Sequence, residues 1–250
     1  MKIIVLGANG SLGSHVTRLA LLAGHTVTAD VRDPTKLALA GQPKLSVRQA
    51  DLSTIALPEL SEMLRGHDAL INTAGFVTDG EKFIAIVTAV VEAVEALRPQ
   101  ERPVCWFIAG AGLLDLDNKA RRGLDLPKVR DTYWPHAKNH ARLQQSELDW
   151  RMLCPGPMVE SQPVGIERLR TSTETIAVTM PTWVGQLPSL LLLVLFTRRM
   201  PEMIVSYTDA AALMLENLAP GGKFSKKRVG LALPLGMRGT KSEWVALKDK

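Results

Sequence analysis

Short, unbroken apolar runs alternate with segments of helical period from the first residues to about Leu153. Ile3–Leu6 predicts a strand, and Leu12–Ala23 a helix with its apolar positions on one face. Thr26–Val31 predicts the next strand. A short helix over Pro34–Ala40 follows it, opened by a proline in the first turn, where a missing N–H is harmless. Leu45–Gln49, Ala69–Asn72 and Val104–Ala109 predict three more strands, separated by a segment around Pro58–Leu64 and a long helix over Glu81–Leu97. A helix from about Pro135 to Gln145 and a sixth strand, Trp150–Leu153, complete the alternation.

The strands are continuous Val/Ile/Leu runs rather than apolar-polar alternations, so both of their faces must be covered. That is the pattern of a parallel sheet flanked by helices, and right-handed crossovers make it a doubly wound α/β fold of the Rossmann type. From Pro155 the texture changes: prolines punctuate short pieces, with strands expected at Met203–Ser206 and Arg228–Leu233 and a helix at Asp209–Leu218. No repeat or flexible linker interrupts the chain. We expect a single domain over residues 1–250, with residues 155–206 as cap segments on the substrate side of the cleft.

Composition narrows the class. With 46% hydrophobic and 22% charged residues the chain is an ordinary globular one, not an extended disordered or disulfide-scaffold chain. Cys105 and Cys154 both lie in apolar segments, which predicts two buried, reduced thiols rather than a disulfide or a metal pair. The Leu190–Phe196 run stops at Arg198-Arg199, far short of the ~20 residues that span a bilayer, and is expected to be core. Ile3–Leu6 breaks at Gly7, too early for the apolar centre of a signal peptide. A cytoplasmic protein without a membrane partner is the expectation. The net charge is +5 and the pI about 9.3. Basic residues cluster only at Arg121-Arg122, Arg198-Arg199 and Lys226-Lys227-Arg228, and the sparse aromatics do not interleave with them, so a nucleic-acid partner is not expected.

A phosphorylated cofactor explains part of that positive charge. Gly7-Ala8-Asn9-Gly10-Ser11-Leu12-Gly13 joins the first strand to the first helix. Gly7 permits a sharp turn, Gly10 leaves the backbone bare where a diphosphate would approach, and Gly13 lets helix and strand pack closely. The helix start offers free N–H groups and partial positive charge to the phosphates. The spacing, Gly-two-Gly-two-Gly, departs from the Gly-one-Gly-two-Gly fingerprint of dinucleotide folds, but the strand-to-helix context is the required one.

Which dinucleotide binds depends on the end of the second strand. Arg32, with Lys36 one turn on, is placed to meet the 2′-phosphate of NADP, while Asp30, on the opposite face from Ala29 and Val31, leaves NAD as an alternative. Asp51-Leu52 offers a carboxylate to the adenine amine and an apolar cover to the ring, and Thr73, Ala74 and Gly75 are small enough for a ribose to lie against the backbone. Ala109, Gly110 and Pro155, at the ends of the fifth and sixth strands, join the expected cofactor set.

With these residues the chain resembles the atypical short-chain dehydrogenase/reductases, and within them the NAD(P)H-binding, NmrA-like and biliverdin/flavin-reductase-like branch. The resemblance rests on the glycine turn, Val31-Arg32-Asp33-Pro34-Thr35-Lys36-Leu37, Asp51-Leu52, and Ser146 through Gly156, and covers most of residues 1–160. It implies an NADP-preferring reductase. Standard members of that superfamily carry a serine after the fifth strand and a tyrosine and lysine four residues apart, the tyrosine donating a proton as hydride moves. Here Gly110 stands in the serine's place, Tyr133 and Lys138 are five apart, and the usual lysine and tyrosine positions fall on His136 and Thr132.

His136 and His140 lie one above the other on their helix, a pair resembling that of the biliverdin/flavin-reductase-like branch. His136, Tyr133 and His140 are therefore the candidate catalytic residues, either histidine being equally readable as a hydrogen-bonded helix residue. No third ligand makes the pair a metal site.

Two functions follow. One is an NADPH-dependent reductase of a flavin-, quinone- or carbonyl-like small molecule, a reaction in which the cofactor carries the chemistry, with Met158, Trp183 and the leucine run as optional pocket walls. The other is a redox-sensing regulator that binds the nucleotide without turnover; an epimerase or dehydratase needs the missing tyrosine-lysine pair. The Glu81–Leu97 helix offers a contact face for a homodimer.

Overall fold

The computed structural model describes residues 1–39 and 41–240. Ten strands and six α-helices are present among them. In chain order they are β1 (Lys2–Leu6), α1 (Ser11–Leu22), β2 (Thr26–Val31), β3 (Leu45–Gln49), α2 (Leu57–Leu64), β4 (Ala69–Asn72), α3 (Glu81–Glu95) and β5 (Val104–Ile108). There follow α4 (Val129–Gln144), β6 (Trp150–Cys154), β7 (Met158–Val159), β8 (Arg170–Thr173), α5 (Ser189–Arg199), β9 (Val205–Ser206), α6 (Tyr207–Leu215) and β10 (Lys227–Ala232).

Eight strands form one sheet in the order β3-β2-β1-β4-β5-β6-β10-β8, parallel throughout except for β8, which runs antiparallel along β10. The chain winds outward from β1 to β3, then returns to β4 on the other side of β1. That reversal opens a crevice at the carboxyl ends of the strands. The continuous apolar runs are explained by two cores. Ile4, Leu6 and Leu70 face Leu60, Leu64, Val87 and Val91 of α2 and α3. Ile3, Val5, Val27 and Ala29 face Val16 and Ala20 of α1 and Ala210 and Met214 of α6. Burial at this density on both faces is what a parallel sheet requires.

Four expectations need correction. The helix expected over Pro34–Ala40 is a single turn, Pro34–Lys36; Asp33 caps it by accepting from Thr35 N at 3.1 Å, and Leu37 then returns to extended backbone to reach the core. Ala40 itself lies outside the described residues. The helix expected from Pro135 begins at Val129, with Pro135 inside it. Proline removes one helical hydrogen bond there, but the helix persists: Tyr133 stacks on His136 within it, and Trp134 lies against Gly80 outside it.

The Leu190–Phe196 run is α5, and only Leu192 and Phe196 of its residues are buried, leaving Leu190, Leu191 and Val194 exposed. One face of a surface helix is all the core can take. The strand expected at Met203–Ser206 shrinks to Val205–Ser206, which pairs with Met158–Val159. The edge strand β8 gave no apolar signal, since its residues Arg170-Thr171-Ser172-Thr173 are polar.

Both cysteines are free and buried, and burial pushes the Cys105 thiol up to about 12. Among the described residues no helix is long and apolar enough to cross a membrane.

Candidate functional site

The glycine turn lies at the carboxyl end of β1, beside the point where the strand order reverses. Gly7 has φ +77° and hangs under β2, its N–H and that of Ala8 both donating to Asp30 O at 3.2 and 3.0 Å. A Cβ at Gly7 would stand 2.9 Å from the backbone of Ala74, and one at Gly13 would stand 2.3 Å from Gly7 O and 2.7 Å from Thr73 Oγ1. Both glycines are fixed by the protein's own packing. Gly10 differs: its backbone is extended, and an added Cβ would meet only Gly7 O, at 3.2 Å. It also ends the turn at the N-terminus of α1, where no side chain caps the first N–H groups.

The neighbouring strand ends buttress this turn. Thr73 donates to Leu6 O from both Oγ1 and N, at 2.8 and 3.0 Å, and Ala74 N donates to Asn72 Oδ1 at 3.0 Å, so this strand end is fixed to the turn. Gly75, with φ +93°, could not carry a Cβ, which would fall 2.6 Å from the Phe83 ring. Asn9 Nδ2 donates to Asp33 O at 2.7 Å and ties the turn to the loop after β2. Ser11 opens α1, accepting at its carbonyl from Ser14 Oγ at 2.9 Å. Leu12 and Leu52 are buried in the two cores, so each holds its loop down.

Arg32 is exposed just past β2. Lys36 is also exposed but pairs with Asp33 at 3.3 Å. Asp51 accepts from Ser53 Oγ and N at 2.7 and 2.9 Å, and these bonds, aided by the charge of Arg32, hold its carboxyl below the usual range. Asp30 is the surprise. It is only 2% exposed, and its Oδ1 has no hydrogen-bond partner. Burial, with the charge of Asp51 adding to it, raises its carboxyl to about 7. The strand alternation marked its face, but not that the strand end is closed over by neighbours.

At the other end of the cleft β5 runs into Ala109 and Gly110, held by bonds from Ala109 N to Leu153 O and Ala111 N to Pro155 O, both 2.8 Å. His136 of α4 faces this bend. A Cβ on Gly110 would lie 3.5 Å from its Nε2. The imidazole is buried, edge-on to Phe83 and stacked with Tyr133 at 6.1 Å, and burial lowers it to about 4, so it is neutral at physiological pH. Its Nδ1 has no partner, nor has either amide atom of the buried Asn139, three residues on along the same helix face.

His140, on that face too, packs edge-on against Trp150 at 5.7 Å with Arg228 among its charged neighbours, inside the core rather than at Gly110. Tyr133 is 39% exposed, while Lys138 and Thr132 face outward. The structure places His136 beside Gly110 with Tyr133 stacked on it, and sets His140 apart from them against Trp150.

Two supports carried no sequence signal. Arg228 of β10, itself paired with Glu174 and Asp115, donates to Leu113 O at 2.6 Å and steadies the loop that carries Gly110. His15 of α1 bonds Glu160, past β7, at 3.0 Å and Thr208 of α6 at 3.0 Å, joining the segment after β6 to the helix of the glycine turn. In both cases the partner is distant along the chain, so no local pattern exposes it.

Residues 7–181 match the family model for NAD(P)H-binding proteins. The chain is 28% identical over 161 residues to the uncharacterized protein YwnB of Bacillus subtilis (strain 168), covering 62% of this chain and 71% of that one. It superposes on a protein from Streptococcus pneumoniae TIGR4, provisionally an NADH-flavin reductase, with TM-score 0.67 and 22% identity over 93% of this chain and 99% of the other. It also superposes on an anaerobillin reductase from Escherichia coli O157:H7, with TM-score 0.63 and 18% identity over 94% and 98%. At these identities the structural likeness speaks to the fold.

Proposed function

The chain belongs to the NAD(P)H-binding family, and on that premise we propose that it is an NADPH-dependent reductase of a flat, electron-accepting small molecule of the flavin, quinone or related carbonyl class. The observation that carries this reading is His136, a buried neutral imidazole whose Nε2 faces the bare backbone of Gly110 at the end of β5.

The residues at the glycine turn fit a nicotinamide nucleotide. The uncapped start of α1 supports diphosphate binding, and the packing of the turn restrains Gly10 less than its two fellow glycines, an added Cβ meeting only Gly7 O at 3.2 Å. Arg32 supports NADPH over NADH, because a planar, exposed guanidinium suits a phosphate. Lys36, paired with Asp33, adds little. Leu52 and Asp51 would receive the adenine, and the backbone from Thr73 to Gly75 the adjoining ribose. Gly110, Ala109 and Pro155 border the reacting end.

When bound, the cofactor supplies the hydride. The chain's own part is to orient the two planar rings, exclude water and manage one proton. His136 Nε2 is the group that meets the atom gaining that proton: neutral near pH 7, the imidazole would donate its Nε2–H in a hydrogen bond to that oxygen or nitrogen while the proton itself comes from solvent, and Tyr133 stacked over it limits the ring's movement. Conjugated acceptors stabilise their reduced forms themselves, so the serine-tyrosine-lysine set is dispensable for them. The names of the two structurally similar reductases support the same acceptor class.

A second reading, a nucleotide-binding redox sensor without turnover, is favoured by Thr132, which stands outward-facing at the usual tyrosine position and leaves no tyrosine-lysine pair. One experiment separates the two. Purified protein is mixed with NADPH and then with FMN, a quinone panel and dichlorophenolindophenol while the absorbance of the reduced nicotinamide is followed. Oxidation with at least one acceptor is expected; tight NADPH binding with no oxidation across the panel selects the sensor.

A further inference from the structure

A surface helix gives one face to the core and the other to water, and its outer positions are ordinarily polar. The helix α5 breaks that rule. Leu192 and Phe196 fill its inner face, Phe196 reaching to 3.3 Å from the point that a Cβ on Gly123 would occupy. Its outward positions are Leu190, Leu191 and Val194, which share one face and are 65%, 53% and 46% exposed. Trp183, in the short turn Thr182–Gln186 ahead of the helix, is 54% exposed. Single exposed apolar residues are ordinary, whereas four so close together mark a surface that meets something.

This segment is held in place. Arg121, in the loop after β5, donates to Leu187 O at 2.7 Å and to Val184 O at 2.9 Å. At the other end Arg238 donates to Arg198 O at 2.9 Å and so satisfies a carbonyl of the last helical turn. The apolar face is therefore presented as a fixed surface.

The free charges beside it are of one sign. Lys119 runs its stem past Gly185, two residues from Trp183, and Arg198 and Arg238 stand at the far end of α5; all three are exposed. The acids on the packed neighbours are engaged. Asp117 and Asp125 pair with Arg121 and Arg122, and Glu202 is held by Arg170 and Arg199 at 2.9 and 2.8 Å. Among the described residues none of the three exposed cations has an acidic partner.

We propose that Trp183 and the outer face of α5 form a docking surface for an anionic lipid bilayer, with the helix lying in the plane of the interface. The leucines and the valine enter the acyl boundary, the indole sits at headgroup level, and Lys119, Arg198 and Arg238 meet acidic headgroups. The net charge of +5 adds to the attraction. The expectation of no membrane partner came from the length of the leucine run; that length forbids spanning a bilayer, but lying on one requires no such length. A second copy of the chain fits this face less well. Antiparallel helices across a two-fold axis would set the two arginines against the lysine end of the other copy, and parallel ones would set them against their own counterparts. Either way like charges meet with no acid between them, while a layer of negative headgroups receives all of them at once. The inference stands independently of the reductase reading.

Co-sedimentation of the full chain with vesicles tests it, using phosphatidylcholine alone and an equal mixture with phosphatidylglycerol. Binding to the mixed vesicles is expected, with much weaker binding to the neutral ones and a decline as salt is raised. Leu190→Gln combined with Leu191→Gln should weaken binding roughly tenfold or more, and Lys119→Gln or Arg198→Gln by about fivefold each. All four positions are exposed, so far-UV circular dichroism and the melting temperature should stay at wild-type values. Independently of those variants, bromine-labelled lipid should quench tryptophan emission in the wild type, and less so in Trp183→Phe. Absence of binding to mixed vesicles, equal binding to neutral ones, unquenched emission, or a double-leucine variant that binds like wild type overturns the proposal. So does a dimer in sedimentation velocity that the leucine variant dissociates, which would assign this face to a second copy.

Discussion

His136 Nε2 lies 3.5 Å from the point that a Cβ on Gly110 would occupy, joining the end of β5 to the buried face of α4. A serine at position 110 would direct a hydroxyl at this imidazole; with glycine there the nitrogen is left for a substrate. His136→Phe keeps an aromatic ring between Phe83 and Tyr133, so folding and NADPH affinity should survive. Turnover of the best acceptor should fall by about 10²–10³-fold, the usual worth of one hydrogen-bond donor placed at developing charge. His136→Ala should lose as much activity and, in addition, on the order of 1–3 kcal/mol of stability through the cavity it opens. Steady-state kcat/KM beside thermal melts checks both. A fully active Phe variant removes the imidazole from the chemistry.

The glycines of the turn should separate into two kinds. Gly13→Ala drives a Cβ to 2.3 Å from Gly7 O and 2.7 Å from Thr73 Oγ1, neither of which can retreat without moving a strand end. A loss of stability of about 2 kcal/mol or more is expected, with cofactor binding lost alongside. Gly10→Ala meets only Gly7 O at 3.2 Å, a tight contact that a small backbone shift relieves, so it should fold with a much smaller loss of stability than Gly13→Ala. Its deficit should appear in calorimetry as a fall in nucleotide affinity of roughly tenfold, because the methyl group takes the diphosphate's place. Gly10→Ala binding at wild-type strength would move the diphosphate off this turn.

Arg32 and Lys36 read alike in sequence and differ in structure. Arg32→Ala should weaken NADPH by about ten- to a hundredfold, as loss of a charge-assisted contact does, and leave NADH almost unchanged. Lys36→Ala removes a side chain already engaged by Asp33 at 3.3 Å and should cost NADPH less than about threefold. Paired Kd values for the two nucleotides test the contrast. Equal losses for NADPH and NADH in Arg32→Ala would show that this guanidinium does not hold the 2′-phosphate.

Much of this architecture was legible because parallel strands declare themselves. Val5, Leu70 and Phe107 lie in runs apolar on both faces, and the boundaries of β2, β3 and β4 coincide with the expected ones. The polar edge strand β8 escaped because nothing covers its outer face, so no apolar pattern was required of it. Proline misled at α4: its preference for the first turn is a local rule, and the packing of Trp134 against Gly80 overrode it. At the site, the glycine turn and His136 were visible as residue types at known places. The burial of Asp30, the distraction of His140 by Trp150 and the Arg228 brace were not, since each depends on partners far along the chain.

Asp30 and His136 should leave opposite marks on stability as pH changes. In the folded chain the Asp30 carboxyl is raised from 3.8 to about 7, so between those values the native state holds a proton that the unfolded state has released. Its contribution is complete below the lower value and is lost as pH rises through the upper one, a change on the order of 3–4 kcal/mol. His136 runs the other way: lowered from 6.5 to about 4, it contributes above the higher value and loses that contribution as pH falls through the lower one. From about pH 4 to 6.5 the two slopes oppose and largely cancel. Asp30→Asn removes one of them. Relative to wild type the variant should gain stability steadily from about pH 4 to 7 and hold the gain above, while its own curve shows the histidine slope uncovered. Urea midpoints across this range decide it, for a carboxylate ionised throughout would leave the two curves parallel, with Asp30 already charged in the native state at pH 5.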